Sequence, residues 1–428
     1  MPKTTPERSG QNWLAVLGPG ILFASTAIGV SHLVQSTRAG ALTGFGLIWA
    51  VVAANLAKYP FFEFGSRYAN ATGESLIEGY RSLGKPAAWG YFIIALGTCF
   101  FVMGAVGIVT AAFLDNLFGL SARFEFNATP ATAVFVFAIS AGILTWGQYK
   151  ALDSVIKAIA AVLLLSTLGA FVLAWNQVPF SSVPSAPLEF NPWEGAGLAF
   201  IIALMGWMPT AVDLSTWNSI WTLERIKQTG FHPPLRSTLR EFNTGYLLSA
   251  VLALMFLALG ALLLYTRGTE LPDGTAAFAS GVVNMYTEVI GGWSWWIIAA
   301  AAFSAMLGTC IACLDGYSRA LARSYATLFL GASPREGSTI QLREQRTLLM
   351  VSAGALVLIL AFPQDIRTLV DVATTLSFLV APLVAGANWY LVSRREFPQA
   401  ARPRLWLHAL AGFGLLFLLG FSYLFLRA

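Results

Sequence analysis

Residues 87–114 read AAWGYFIIALGTCFFVMGAVGIVTAAFL, an apolar run without one charged side chain. A helix crossing the hydrocarbon core of a bilayer needs about 20 such residues, so this run spans with tilt and is too long for an ordinary core helix. Ten more apolar segments lie at roughly 13–40, 44–66, 130–147, 153–176, 195–221, 242–266, 291–324, 346–362, 367–393 and 405–426. Only 11% of the 428 residues are charged, against about a quarter in soluble domains. The surface of such a chain must face lipid. The expected fold is an all-α polytopic membrane protein of about 11 transmembrane helices. Residues 1–12 are polar and lack the layout of a cleavable signal, so they are expected to form an N-terminal tail.

Lysine and arginine set the expected orientation, because cytoplasmic loops carry the excess. With the N-terminus inside, twenty of these residues fall on the cytoplasmic side, and Arg123, Arg267, Arg367 and Arg427 fall on the other. The C-terminus is then outside. This bias accounts for the net charge of +5 as topology, and no nucleic-acid partner is expected. Cys99, Cys310 and Cys313 lie in apolar stretches and form neither a disulfide framework nor a zinc pattern. They read as packing. A bacterial inner membrane suits the short loops.

Two segments are interrupted. The first, IGVSHLVQSTRAG at 28–40, places Gly29, Ser31, His32, Gln35, Ser36, Thr37 and Arg38 inside a span. The sixth, ALMGWMPTAVDLSTWNS, places Gly206 and Pro209 near mid-membrane, and Pro209 removes an amide donor and crowds the preceding turn. Each alone also reads as an ordinary kink. Five segments apart, the pair fits an inverted repeat of five plus five helices, whose breaks meet at the midplane and form the substrate site from freed carbonyls and half-helix ends. The repeats are then 13–176 and 195–393, with an eleventh helix at 405–426.

The stretch LGPGILFASTAIGVSHLVQSTRAGALTGFGLIWAVVAANLAKY, the segment RYANATGESLIEGYR and the motif MGWMPTAVDLS together resemble the NRAMP family of proton-coupled divalent-metal transporters. The resemblance implies a LeuT-like fold with broken helices 1 and 6 and alternating access around them. In that family the first break reads Asp-Pro-Gly-Asn, and the Asp and Asn bind the metal. The motif falls here on Gly29, Val30, Ser31 and His32, so the carboxylate is replaced by glycine and the amide by imidazole. The family's metal-binding Met is retained as Met208, its His becomes Thr210, and the carbonyl ligand three residues earlier belongs to Met205. The resemblance thus implies a substrate site of Gly29, Ser31, His32, Met205, Met208 and Thr210.

Without the Asp, the shell loses its formal negative charge. Hard Mg²⁺ and Ca²⁺ are then disfavoured, and a softer cation, either monovalent or a transition metal, held by His32 and Met208 with Met205, Ser31 and carbonyls, is the readier cargo. His32 reads as a metal ligand, a proton carrier or a donor to an organic anion, and equally as a buried histidine satisfied by a carbonyl. Asp213 is an intramembrane acid and hence a candidate for charge or proton coupling, or for an ion pair with Arg38. Lys58 and Glu63 are expected at the inner gate with Arg67 or segment 8. Asp315, four before Arg319, reads as a gate or structural pair, and Asp371 as part of the outer gate. Trp207 reads as a plug, a substrate contact or a lipid-facing ring. Asn388, Thr374, Thr375 and Ser377 are candidates for the cavity wall.

Three functions remain open on these residues. The leading one is proton-coupled transport of a transition-metal cation with an altered ligand set. A small organic solute, such as an amino acid or amine, fits the same fold, and a non-transporting sensor is the third. No nucleophile–base pair, phosphate loop or metal triad points to an enzyme, and no cofactor is expected beyond a metal ion as substrate. The partners expected are that substrate and the lipid bilayer, and nothing in the sequence sets an oligomeric state.

Overall fold

The computed structural model describes residues 19–427, apart from 126, 179–189, 269–271, 273–274, 331–337 and 362–365. The tail expected at 1–12 lies outside the described residues. Helix is the only regular structure among those described. The first span is split into α1 (Pro19–Ala27) and α2 (Thr37–Thr43), joined by a wide π-type turn over Ser31–Ser36. After it come α3 (Ile48–Thr72), α4 (Leu76–Leu83), α5 (Lys85–Phe118) and α6 (Thr129–Gln177). The second split span is α7 (Gly195–Gly206) and α8 (Ser215–Thr229). Then follow α9 (Leu235–Leu263), α10 (Thr275–Ile290), α11 (Trp295–Phe329), α12 (Ser338–Ala361), α13 (Ile366–Ser393) and α14 (Leu405–Arg427).

Two elements differ from the segment count. The spans expected at 130–147 and 153–176 are one helix, α6, of 49 residues. At about 1.5 Å per residue it is about 74 Å long, more than twice the roughly 30 Å hydrocarbon core. The intervening GQYKALDSV contains one glycine and no proline, and a lone glycine costs a helix only about 1 kcal/mol. Conversely, α10 was expected as loop. Its 16 residues reach only about 24 Å, too short for a span, so a search for apolar runs passes over it.

Among the described residues, seven helices are long and apolar enough to cross a membrane by length and composition. Neither half of the two split spans is among them, nor is α3, which carries Lys58, Glu63 and Arg67. The helices that least resemble ordinary spans are therefore the ones that build the site. What holds the split first span in place is α9. A side-chain carbon on Gly40 would lie 1.9 Å from the Leu257 carbonyl oxygen, and one on Gly260 would lie 2.3 Å from that of Thr37. Backbone meets backbone there, the packing that small residues permit between membrane helices.

Candidate functional site

At the first break the helix ladder lapses at Ile28–Gly29 and resumes with His32 and Leu33 donating to the Gly29 carbonyl at 3.1 and 2.9 Å. Carbonyls left without an amide need another donor in a dry interior. Thr309 of α11 supplies it: its hydroxyl lies 2.9 Å from the Ser25 oxygen and 3.5 Å from that of Ile28. The same side chain accounts for the glycine. A side-chain carbon at position 29 would come 2.5 Å from Thr309 Oγ1 and 2.6 Å from its Cγ2, so an acid there has no room while Thr309 keeps this place.

At the second break α7 stops at Gly206, and the chain passes Trp207–Ala211 and a short turn at Val212–Leu214 before α8 begins. The Met208–Pro209 bond is cis. Here the donor to the freed carbonyls is a charged group. Lys58, fully buried on α3, donates to the oxygens of Met205 at 2.6 Å, Gly206 at 2.7 Å and Thr210 at 3.2 Å. Three acceptors use all three hydrogens of an ammonium. The break thus already holds a cation, supplied by the protein itself.

Between the breaks lies a small cavity of about 20 Å³, lined in part by Thr26, Ser31, Trp207, Thr210, Thr309 and Cys313. That is room for about one water-sized particle. Its polar surface is hydroxyl and thiol, with no carboxylate. Asp213 lies just beyond, fully enclosed: Oδ2 accepts from Thr98 at 3.2 Å, and Oδ1 has no hydrogen-bond partner. Asp213 and Lys58 act on each other electrostatically without direct contact.

Charged residues close the site on both sides. Since α2 ends at Thr43 and α3 starts at Ile48, Arg38 lies at the end where α3 begins. Its guanidinium bonds Asp371 at 2.9 Å, is shared with Gln35 at 3.0 Å, and sits 5.2 Å above the Phe200 ring. Arg38 and Asp371 also line a cleft of about 890 Å³. Towards the other end of α3, Arg67 bonds Glu63 at 2.9 Å and the Ala401 oxygen at 2.6 Å. On the same side Arg319 bonds Asp315 at 2.8 Å and Glu344 at 3.5 Å, Arg323 bonds Glu224 at 2.7 Å, and Trp221 donates to Asp315 at 2.9 Å.

Several sequence expectations need amending against this geometry. His32 does not turn to Met208. Its Nε2 faces the Ser249 carbonyl at 2.8 Å, which requires the hydrogen there, and its Nδ1 lies 2.7 Å from Ser31 Oγ. Both ring nitrogens are thus engaged towards α9 and the neighbouring serine. Arg38 pairs with Asp371 and not with Asp213. Lys58 leaves the inner gate for the second break. Met205 and Met208 are buried outside the cavity lining, whereas Ser31 and Thr210 are in it. Among the described residues no group of three or more His, Cys, Asp or Glu could hold a metal.

Trp207 lines the cavity and donates to Ser377 at 2.9 Å, so it does not face lipid. Asn388 ties α4 to α8, accepting from Tyr80 at 2.5 Å and donating to Ser215 at 2.7 Å, while Thr374 bonds within its own helix. Thr26, Thr309 and Cys313 are cavity residues that sequence reasoning passed over. Thr26 and Thr309 sit in apolar runs with no pattern to mark them. Cys313 was set aside as packing.

The family model for Natural resistance-associated macrophage protein-like (Nramp) chains matches residues 20–428. This chain belongs to the Nramp family. An uncharacterized protein of Pasteurella multocida, PM0681, is 33% identical over all of this chain and 96% of its own length. A divalent metal cation transporter MntH of Aeromonas hydrophila is 35% identical over 101 residues, 22% of this chain and 25% of that one. Among solved structures, a manganese transporter of Eremococcus coleocola superposes with a TM-score of 0.70 at 13% identity, covering 98% of this chain and 87% of that one. At that identity the likeness is one of fold. The Nramp chain described here is a multi-span membrane protein with the LeuT-like arrangement of broken helices. At the first break of this Nramp member, Gly29 is packed on Thr309.

Proposed function

We propose that this Nramp chain is a secondary transporter that moves a transition-metal cation by alternating access, coupled to protons. The observation that carries the reading is the small cavity of about 20 Å³ where the two helix breaks meet. It matches one bare ion held by Ser31, Thr210 and Cys313 oxygen and sulfur, while Met205 and Met208, buried outside the lining, would have to move to join them. Sites for organic solutes are commonly 300 Å³ or more, so an amino acid or amine is the weaker reading. The absence of a carboxylate in the lining, together with the thiol, favours softer ions over Mg²⁺ and Ca²⁺. Names of relatives agree, since the MntH proteins are described as divalent metal cation transporters and the structural neighbour as a manganese transporter.

Asp213 is the proposed carrier of the coupling proton: it is enclosed, one oxygen is unpartnered, and it borders the second break. The Arg38–Asp371 pair is the proposed outer gate, and the Glu63–Arg67 and Asp315–Arg319 clusters the inner one. We read α1–α6 and α7–α13 as the two repeats, and place the protein in the inner membrane with its N-terminus cytoplasmic and its C-terminus outside. The test is Mn²⁺ uptake into proteoliposomes with an inward proton gradient. Wild type should accumulate Mn²⁺ with gradient-dependent rates, and Asp213→Asn should lose the gradient dependence. Equal dependence in both would remove Asp213 from the coupling.

A further inference from the structure

The Lys58 ammonium sits on the backbone oxygens freed at the second break, beside the cavity that Thr210 lines. Its three hydrogens are spent on Met205, Gly206 and Thr210 oxygens, at 2.6, 2.7 and 3.2 Å. Each carbonyl oxygen keeps a second lone pair, but a metal ion placed on it would lie within a few Å of the ammonium, and the repulsion between the two cations disfavours holding both at once. Yet the ammonium has an alternative place. Asp213 Oδ1 is a buried carboxylate oxygen without a partner, and its charge already acts on Lys58. A buried, unsatisfied carboxylate oxygen is costly and therefore rare, and it calls for a donor or a cation in some state of the protein.

We propose that Lys58 is a tethered competitor for the transported ion: it occupies the carbonyl cradle of the broken sixth span when the carrier is empty, and yields it to a metal ion by swinging to Asp213 Oδ1. This rests on the transition-metal reading of the site. The lysine makes two contributions. It keeps weakly bound monovalent ions out, since only an ion that binds the cradle more strongly than the ammonium displaces it. It also completes the empty carrier, whose freed carbonyls would otherwise lie unsatisfied in a dry interior during the return step.

The experiment uses full-length protein in nanodiscs and proteoliposomes, with Mn²⁺ as the probe. Lys58→Gln removes the competing charge and retains a donor. The expected result is a Kd for Mn²⁺ at least tenfold lower than wild type, with net uptake down at least tenfold while Mn²⁺/Mn²⁺ exchange persists, because the loaded carrier still moves and the empty one does not. A lysine that only pins α3 to the break predicts otherwise: folded Lys58→Gln protein, monodisperse but with a lower melting temperature, would bind Mn²⁺ no more tightly than wild type. That result overturns the proposal. A structure of the wild type soaked in Mn²⁺ is independent of whether the variant folds. The anomalous peak should coincide with Lys58 Nζ withdrawn towards Asp213, and a bound metal with Nζ still on the Met205 and Gly206 oxygens would overturn the inference. If wild type neither binds nor moves Mn²⁺, Co²⁺ or Zn²⁺, the transport reading itself falls. If wild type moves them and Lys58→Gln is unchanged, only the role of Lys58 falls.

Discussion

Lys58 and Gly29 are the residues at which this site departs most from a simple metal cradle. A divalent ion about 4 Å from an ammonium is repelled by about 8 kcal/mol at an effective dielectric constant of 20, enough to exclude the ion unless the lysine moves. Gly29 works through its missing carbon. Because Thr309 occupies the space, Gly29→Asp and Gly29→Ala should each destabilise the protein, by about 1–3 kcal/mol for an overpacked core position. Thr309→Ala removes the two nearest of the three atoms that crowd the position, Oγ1 and Cγ2, and leaves Cβ at 3.0 Å. Thermal melts should show each Gly29 variant lowered and partly restored in the double variant with Thr309→Ala, and an unchanged melt in the singles would show the contact to be slack. From the sequence, Lys58 is expected at the inner gate with Glu63. The sequence could not show that the side chain reaches 147 residues along the chain to Met205. That pairing depends on how α3 crosses the second break, and no spacing within α3 encodes it. The same holds for His32, whose direction is set by the Ser249 carbonyl on α9.

Both split spans follow one rule at the scale of elements. Each break exposes carbonyls, and each is completed by a donor from another helix: the Thr309 hydroxyl for the first, the Lys58 ammonium for the second. The breaks themselves were readable, because Gly29, Gly206 and Pro209 interrupt apolar runs in a way ordinary spans avoid. The continuity of α6 was not, since a short polar stretch between two apolar runs looks like a loop whether or not its backbone stays helical.

The two closures make separable predictions. In a background of Cys99→Ser and Cys310→Ser, Cys313 is the reporter, since it lines the cavity. Asp315→Asn removes the buried carboxylate that pairs with Arg319, at a cost of up to about 3–5 kcal/mol for breaking such a pair. It should admit a membrane-impermeant maleimide to Cys313 from the face bearing α8 and the far end of α3. Arg38→Ala should admit it from the opposite face, where the cleft of about 890 Å³ already reaches the Arg38–Asp371 pair. Labelling from the same face in both variants would contradict the assignment of two gates.

For the whole molecule, the apolar segments and their interruptions made a polytopic fold with broken spans legible, while the orientation drawn from the Lys/Arg bias is a proposal. A C-terminal alkaline phosphatase fusion should be active and a C-terminal green fluorescent protein fusion dark, if that terminus lies outside. The reverse pattern would invert the proposed topology and exchange the two gates. The cargo depends on the cavity, whose size and lining emerge only when α1, α5, α7, α8 and α11 are packed together.

The central claim, that a single bare transition-metal ion fits where the two breaks meet, is tested most directly by a competition panel in proteoliposomes. Radiolabelled Mn²⁺ uptake should be suppressed by excess Co²⁺ and Zn²⁺ and left unchanged by excess Mg²⁺, Ca²⁺ or a mixture of amino acids. Flux of an amino acid or amine, with no uptake of any of these metals, would contradict the account.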